Sequence, residues 1–187
     1  ELASEEQLKK TVSPKVLHIA THGYFLKDIY DREDKSFLGF EEYKIKNNLL
    51  LQSGIMLAGA SKSAKDTTNS VAQDGIFTAY EASLLNLSNT DLVVLSACET
   101  GLGQDMNNQG VFGLQRAFYI AGAKNLIMSL WSVDDDATQI LMTEFYKEWS
   151  VNPTQELIAK AFNKAQREVR KKYPHPYYWG AFVLLGN

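Results

Sequence analysis

Two stretches decide how this chain is built: Val16-Leu17-His18-Ile19-Ala20-Thr21-His22-Gly23 and Leu92-Val93-Val94-Leu95-Ser96-Ala97-Cys98-Glu99-Thr100-Gly101. Each is a short apolar run that stops at polar residues followed by glycine, the pattern of a buried strand that delivers its end into a loop. The first stop carries a histidine, and the second carries the only cysteine in the chain. In an open α/β sheet the carboxyl ends of parallel strands form the edge where ligands bind and chemistry occurs. A thiol and an imidazole brought to one edge are the parts needed for nucleophilic attack by sulfur. These residues read as a cysteine peptidase domain.

The rest of the chain supplies alternating helices and strands. Residues 5–10 read as a helix, with Pro14 between it and the first strand. Residues 27–48 are a long polar stretch of mixed charge, read as a solvated loop. Leu49-Leu50-Leu51 and Ile55-Met56-Leu57 predict a strand pair around Gln52-Ser53-Gly54, and residues 61–73 predict a loop. Asp74-Gly75 is expected to open an amphipathic helix with Ile76, Phe77, Tyr80 and Leu84 on one side.

After the cysteine strand comes a glycine-rich loop, residues 101–110. A helix with Val111, Leu114, Phe118 and Ala121 at helical spacing follows, closed by Gly122 as its C-terminal cap. Residues 126–131 predict a buried strand that ends at Asp134-Asp135-Asp136, and Leu141, Phe145 and Trp149 mark the next helix. Asn152-Pro153-Thr154-Gln155 reads as a helix start, with Asn152 capping and Pro153 at the first helical position. That helix reaches Lys172 with Ile158, Phe162, Ala165 and Val169 inward, and residues 181–185 make a last strand. Strands alternating with helices predict an α/β fold, a mostly parallel sheet with helices on both faces.

Composition narrows the function. A chain of 187 residues, 45% hydrophobic and 22% charged, fits one globular domain. A net charge of −3 argues against direct binding to nucleic acid, which needs a basic face. No apolar run approaches the ~20 residues that span a bilayer, so a membrane partner is not expected. The opening Glu1-Leu2-Ala3-Ser4-Glu5-Glu6 has no signal-peptide character and reads as the middle of a helix, as if cut from something longer. A single cysteine cannot form an internal disulfide, which points to a reducing, cytoplasmic setting.

The chemistry centres on Cys98 and His22. A lone cysteine is ordinarily core filler, but Cys98 follows the apolar run instead of sitting inside it. Strand-end amides at such a place lower a thiol's pKa. Gly23 lets a substrate carbonyl approach the backbone beside His22. Cys98 is the expected nucleophile and His22 the acid for the departing amine, with the amides of Gly23 and Cys98 holding the oxyanion. No third residue that orients His22 is evident.

His18 reads as a core histidine, and His175, between Pro174 and Pro176, as part of a rigid turn. Aspartates at a helix start ordinarily cap it and complement its dipole. Three in a row exceed that need, which leaves a role in binding a basic substrate side chain open. One cysteine and three scattered histidines give no metal-ligand spacing, and neither a calcium loop nor a phosphate-cradling motif is present. No metal and no cofactor are expected.

The chain resembles the CHAT domain, a caspase-like peptidase domain found with tetratricopeptide repeats and related to caspases and separase. The resemblance is carried by residues 18–23, 74–81 and 95–101, then by Gly110-Val111-Phe112-Gly113-Leu114 with Arg116-Ala117-Phe118, and by Ala121-Gly122-Ala123. Ser129-Leu130-Trp131-Ser132-Val133-Asp134-Asp135, Phe145-Tyr146 and His175-Pro176-Tyr177-Tyr178-Trp179 complete it. It implies a caspase-like three-layer sandwich, a His22–Cys98 dyad and cleavage of a protein substrate under the control of repeats or a regulatory protein. In bacteria it implies stress or antiviral signalling.

By similarity to separase, Asp135, with Asp134 second, is the candidate receiver of the side chain before the cut bond. Glu99, next to the cysteine, is grouped with them as substrate-binding. A full CHAT domain usually carries a strand-rich half before the histidine strand, so residues 1–187 are expected to lack an N-terminal part. Residues 27–48 are longer than the family pattern and are expected to be an insertion that acts as a lid or partner-binding loop. A non-catalytic CHAT module for peptide binding or assembly is the main alternative. A thiol-dependent hydrolase or transferase of small molecules is a third.

Overall fold

The computed structural model describes residues 3–25, 36–37, 40–41, 48–60, 74–98, 109–132 and 134–186, with Phe25, residues 36–37 and 40–41, Leu49, Ala97, Cys98 and residues 109–112 described by backbone alone. Strand β6 (Leu92–Cys98) is the organising element. Leu92, Val93, Val94 and Leu95 are all buried, because this strand is covered on both faces. It lies between β1 (Val16–Phe25) and β7 (Asn125–Ser129) and pairs with both in parallel. Antiparallel strands complete the sheet: β4 (Ser53–Met56) and β5 (Ile76–Thr78) beyond β1, and β8 (Phe182–Gly186) beyond β7. The order is β5-β4-β1-β6-β7-β8. A separate pair joins β2 (Ser36–Phe37) to β3 (Phe40–Glu41), inside the stretch expected to be an insertion.

Strand alternation sorts the apolar residues into two cores. Ile19, Val93, Leu95, Leu126 and Met128 face α1 (Glu5–Lys9), α2 (Ala79–Ser83) and α3 (Gln109–Ile120). Leu92, Val94 and Ile127 face α4 (Asp135–Trp149) and α5 (Gln155–Lys172), with the short α6 (Pro176–Trp179) packed beside them. Helices therefore cover both faces, and the three-layer α/β architecture is as expected. Leu141, Phe145 and Trp149 of α4 and Ile158, Phe162, Ala165 and Val169 of α5 are buried at helical spacing.

Four local readings are corrected. Leu49–Leu51 is a 3₁₀ turn instead of a strand, so β4 pairs with β1 and β5 and not with its own predecessor. Ile76–Thr78 is a strand; the helix begins only at Ala79, because Thr78 and Glu81 form a reciprocal capping box there. Tyr80 and Leu84 consequently lie exposed while Phe77 is buried. Helix α5 starts two residues later than expected, with Thr154 as its N-cap and Pro153 ahead of it. His18 is open to solvent on one side and is not a core residue, its ring resting against that of Tyr146 in α4. The expected loop at 61–73 and most of those at 101–110 and 27–48 lie outside the described residues, and Gln109 and Gly110 already belong to α3 instead of the loop.

Gly122 closes α3 as expected. Its φ of +101° is left-handed, its N–H donates to Tyr119 O at 3.0 Å, and the Ala123 N–H donates to Phe118 O at 3.0 Å. A Cβ here would lie 2.9 Å from Ser88 Cα. Strain and backbone contact together should make Gly122→Ala cost about 2 kcal/mol or more. Urea unfolding monitored by tryptophan fluorescence measures it, and an unchanged midpoint would refute the argument.

At the amino-terminal edge of the sheet, Asp91 accepts from Lys124 Nζ and Gln155 Nε2, both at 2.8 Å. At the β1 flank, Lys9 pairs with Glu5 of its own helix and with Glu81 of α2 and so ties the two helices together, while the buried Glu5 also accepts from Gly75 N at 3.2 Å. Burial opposes the charge on Lys9, but its bonds to Glu5 and Glu81 outweigh that and hold the ammonium above its ordinary value. Among the described residues, the part of β1 before His22 has no partner strand on the β4 side. A cavity of about 570 Å³ opens there, lined by residues of α1, Leu17–Thr21, Leu57 and Ala58.

Candidate active site

The carboxyl ends of β1, β6 and β7 lie at one edge of the sheet, since these strands run parallel. The β1–β6 ladder pairs Val16 with Leu92 and continues without a break to His22 opposite Cys98. Adjacent strands are about 4.8 Å apart, so the backbones of His22 and Cys98 are one strand spacing from each other. Parity places them on one face. His18 and Val94 are partners, and both point to the α4 and α5 side; His22 and Cys98 stand four positions further along each strand.

The His22 side chain is exposed and forms no hydrogen bond with any described residue. Beside it, the Thr21 hydroxyl donates to the Met56 carbonyl, which ties β4 to β1 at the site. Leu92 N donates to Lys15 O at 3.3 Å, so the odd-numbered residues of β1 direct their backbone groups toward β6. Gly23 belongs to that set and stands one position beyond the last pair, His22 and Cys98. Its amide is thus directed toward the carboxyl end of β6, at Cys98. Glu99 lies outside the described residues.

The aspartates divide their roles. Asp134 is the N-cap of α4 and its Oδ1 accepts from Ala137 N at 3.0 Å, so its carboxylate is engaged in holding the helix end. Asp135 and Asp136 occupy the first turn and are exposed. Of the two candidates for substrate binding, Asp135 is the one whose carboxylate is not used in capping. His175 is the N-cap of α6, with Nδ1 accepting from Tyr177 N at 3.2 Å, which makes the expected turn a helix start.

Two contacts escaped the sequence reading. Tyr146 Oη lies 3.0 Å from His18 Nδ1, with the rings stacked at 5.6 Å. Although His18 is open to solvent on one side, the partial burial of its ring holds it below its ordinary value of 6.5, and burial pushes Tyr146 up to about 12. A depressed histidine pKa means the unfolded chain takes up its proton first. Its contribution to stability is therefore present above about pH 6.5 and is lost as pH falls through that value toward the folded pKa. The loss of stability between pH 7.5 and 5 should be smaller in His18→Phe than in the parent, as read from urea midpoints at both pH values. Equal losses would refute this.

The second contact joins Trp131 and Ser132 to Tyr177. Trp131 Nε1 donates to Tyr177 O at 3.0 Å, and Tyr177 Oη donates to Ser132 O at 2.6 Å. The signal available in the sequence was the aromatic run around Pro174 and Pro176, too rigid and too apolar for an ordinary loop.

Among the described residues, no helix is long and apolar enough to cross a membrane, and no cluster of three His, Cys, Asp or Glu residues is placed to hold a metal ion. Comparison with known proteins gives two relatives, both named tetratricopeptide repeat protein 28. The human protein is 32% identical over 121 residues, 62% of this chain, and the mouse protein 31% identical over 109 residues, 57% of this chain. The chain spans 4% of the length of each. The family model described as the CHAT domain matches residues 1–187. With that match covering it from end to end, this chain belongs to the CHAT domain family.

Proposed function

We propose that this domain is a cysteine endopeptidase acting through Cys98 and His22. The observation that carries the reading is the register: the two residues are direct partners at the ends of adjacent parallel strands. The Cys98 thiol gives its proton to His22 and the thiolate attacks the peptide carbonyl, and the oxyanion that forms is held by the amides of Gly23 and Cys98. The C–N bond then breaks, with His22 giving its proton to the leaving amine. His22 next takes a proton from water, which attacks the thioester and releases the thiol. No metal or organic cofactor enters this sequence. The substrate is a protein, the setting is cytoplasmic, and neighbouring repeats are the regulatory partner, in keeping with the repeat proteins the chain resembles.

A proteome-derived peptide library incubated with the protein and with Cys98→Ala tests the reading by mass spectrometry. Cuts present in the parent and absent from the variant support it. Cuts in neither, with the intact protein, would favour a CHAT module that binds without cleaving.

Asp135 is proposed to receive a basic side chain before the cut bond. Asp135→Asn should reduce kcat/KM for arginine-containing peptides about 10- to 100-fold, through loss of a charge-assisted contact. Asp134→Asn should instead act mainly on stability, by less than about 1 kcal/mol, since asparagine also caps helices. Kinetics and thermal melts on the pair separate the two roles. Equal kinetic losses, or cuts after leucine or alanine, would exclude the Asp135 pocket.

A further inference from the structure

We propose that Tyr177 is a positioning residue that sets where the Asp135 carboxylate stands relative to His22 and Cys98, and so sets preference for a basic residue before the cut bond. The proposal rests on the peptidase reading and on the Asp135 pocket. Its structural basis is the path of the chain between β7 and α4. The ladder with β8 extends past Ser129, where Leu130 N donates to Ala181 O at 2.8 Å. The chain then leaves the sheet through Trp131 and Ser132 and enters α4 at Asp134.

Tyr177 holds that crossing at two points of opposite polarity. Its carbonyl accepts from Trp131 Nε1 at 3.0 Å, its hydroxyl donates to Ser132 O at 2.6 Å, and the two rings stack at 6.4 Å and 27°. One hydrogen bond leaves a segment free to swing, whereas two running in opposite directions fix its rotation as well. Tyr177 is itself anchored. Its N–H is capped by His175, and α6 is pinned to α5 by Gln166 Nε2, which donates to Trp179 O at 3.0 Å and Phe182 O at 3.1 Å.

Each bond adds only about 1 kcal/mol of stability. Displacing a binding group by ~1 Å, however, can cost on the order of 100-fold in turnover of a bound substrate. The clamp's larger effect is therefore on placement of Asp135, which opens α4 three residues after Ser132 and whose own side chain is exposed.

The experiment compares the intact protein with Tyr177→Phe, Trp131→Phe, the double variant, and Tyr178→Phe, a neighbouring tyrosine that stacks on Tyr173 and meets the Tyr177 ring edge-on, so that the change keeps both ring contacts and removes only a hydroxyl outside the two clamp hydrogen bonds. The substrates are two peptides that differ only before the cut bond, arginine in one and norleucine in the other. Tyr177→Phe should lower kcat/KM for the arginine peptide about 10-fold, mainly through KM, and shrink the preference over norleucine by the same factor. Trp131→Phe should act alike, the double variant should lose less than the product of the two, and Tyr178→Phe should match the parent. Hydrogen exchange of residues 130–136 should quicken in Tyr177→Phe alone among the tyrosine variants.

An unchanged preference in Tyr177→Phe, or equal losses on both peptides, overturns the proposal while leaving the peptidase standing. Parent cleavage indifferent to arginine overturns it together with the Asp135 pocket. Cleavage that survives Cys98→Ala overturns the peptidase reading itself, and the positioning role with it.

Discussion

Replacing His22 by alanine is expected to lower kcat for peptide cleavage by about 10³-fold, and Cys98→Ala to remove cleavage altogether. The two effects should not multiply, because sulfur and imidazole act as one unit: the double variant should be no slower than Cys98→Ala. Neither change should unfold the domain. His22 is exposed and makes no hydrogen bond with a described residue, and Cys98 stands at the final position of its strand, past the four buried residues that anchor it. Steady-state kinetics on a peptide found in the library screen, with circular dichroism as the control for folding, measures this. A His22→Ala enzyme within about tenfold of the parent would exclude imidazole as the proton donor, since general acid catalysis contributes roughly 10²–10⁴.

The largest effect on stability is expected at Phe145. Its side chain is fully buried in α4, stacked on Trp149 at 5.7 Å and meeting Tyr146 and Phe162 edge-on at 5.1 and 6.5 Å. Phe145→Ala removes the ring that joins α4 to α5 and leaves a cavity that neighbouring rings cannot fill, at a cost of about 3–5 kcal/mol. Against a total stability of roughly 5–15 kcal/mol, that is enough to populate the unfolded state measurably. Leu84→Ala, at a leucine 68% exposed, should shift stability by less than about 0.5 kcal/mol. Urea denaturation of both variants tests the contrast, and similar midpoints would show that this core is not where the fold is held. Because α4 also carries Asp135 at its start and Tyr146 near its end, a loosened Phe145 should weaken the site before global unfolding is complete.

The strands around the site were legible because their pattern is local. Val93 and Leu95 alternate with Val94 across the two cores, and the spacing of Leu141, Phe145 and Trp149 needs no knowledge of what lies opposite. The same holds for Gly122, whose position after a helical stripe foretells its left-handed backbone. The helical pattern at Ile76–Thr78 gives way to a strand for a reason equally physical. Three apolar and β-branched residues fit the first turn of a helix as well as a short strand, and pairing with Ile55 decides between them. Helix α5 begins two residues beyond its sequence signal: Pro153 suits the first helical turn, yet the chain turns there and Thr154 becomes the cap.

By itself, then, the sequence determined which residues are buried together along each element, and that a histidine and the lone cysteine end two such runs. Only the tertiary structure decided that these ends are neighbours, because register is set between strands far apart in the chain. It also decided that Asp134 is consumed by the helix it begins while Asp135 stands exposed, and that Tyr177 reaches back to hold the segment before them. A hydrogen bond goes to whichever partner the fold brings within reach, and no local pattern along the chain encodes that choice.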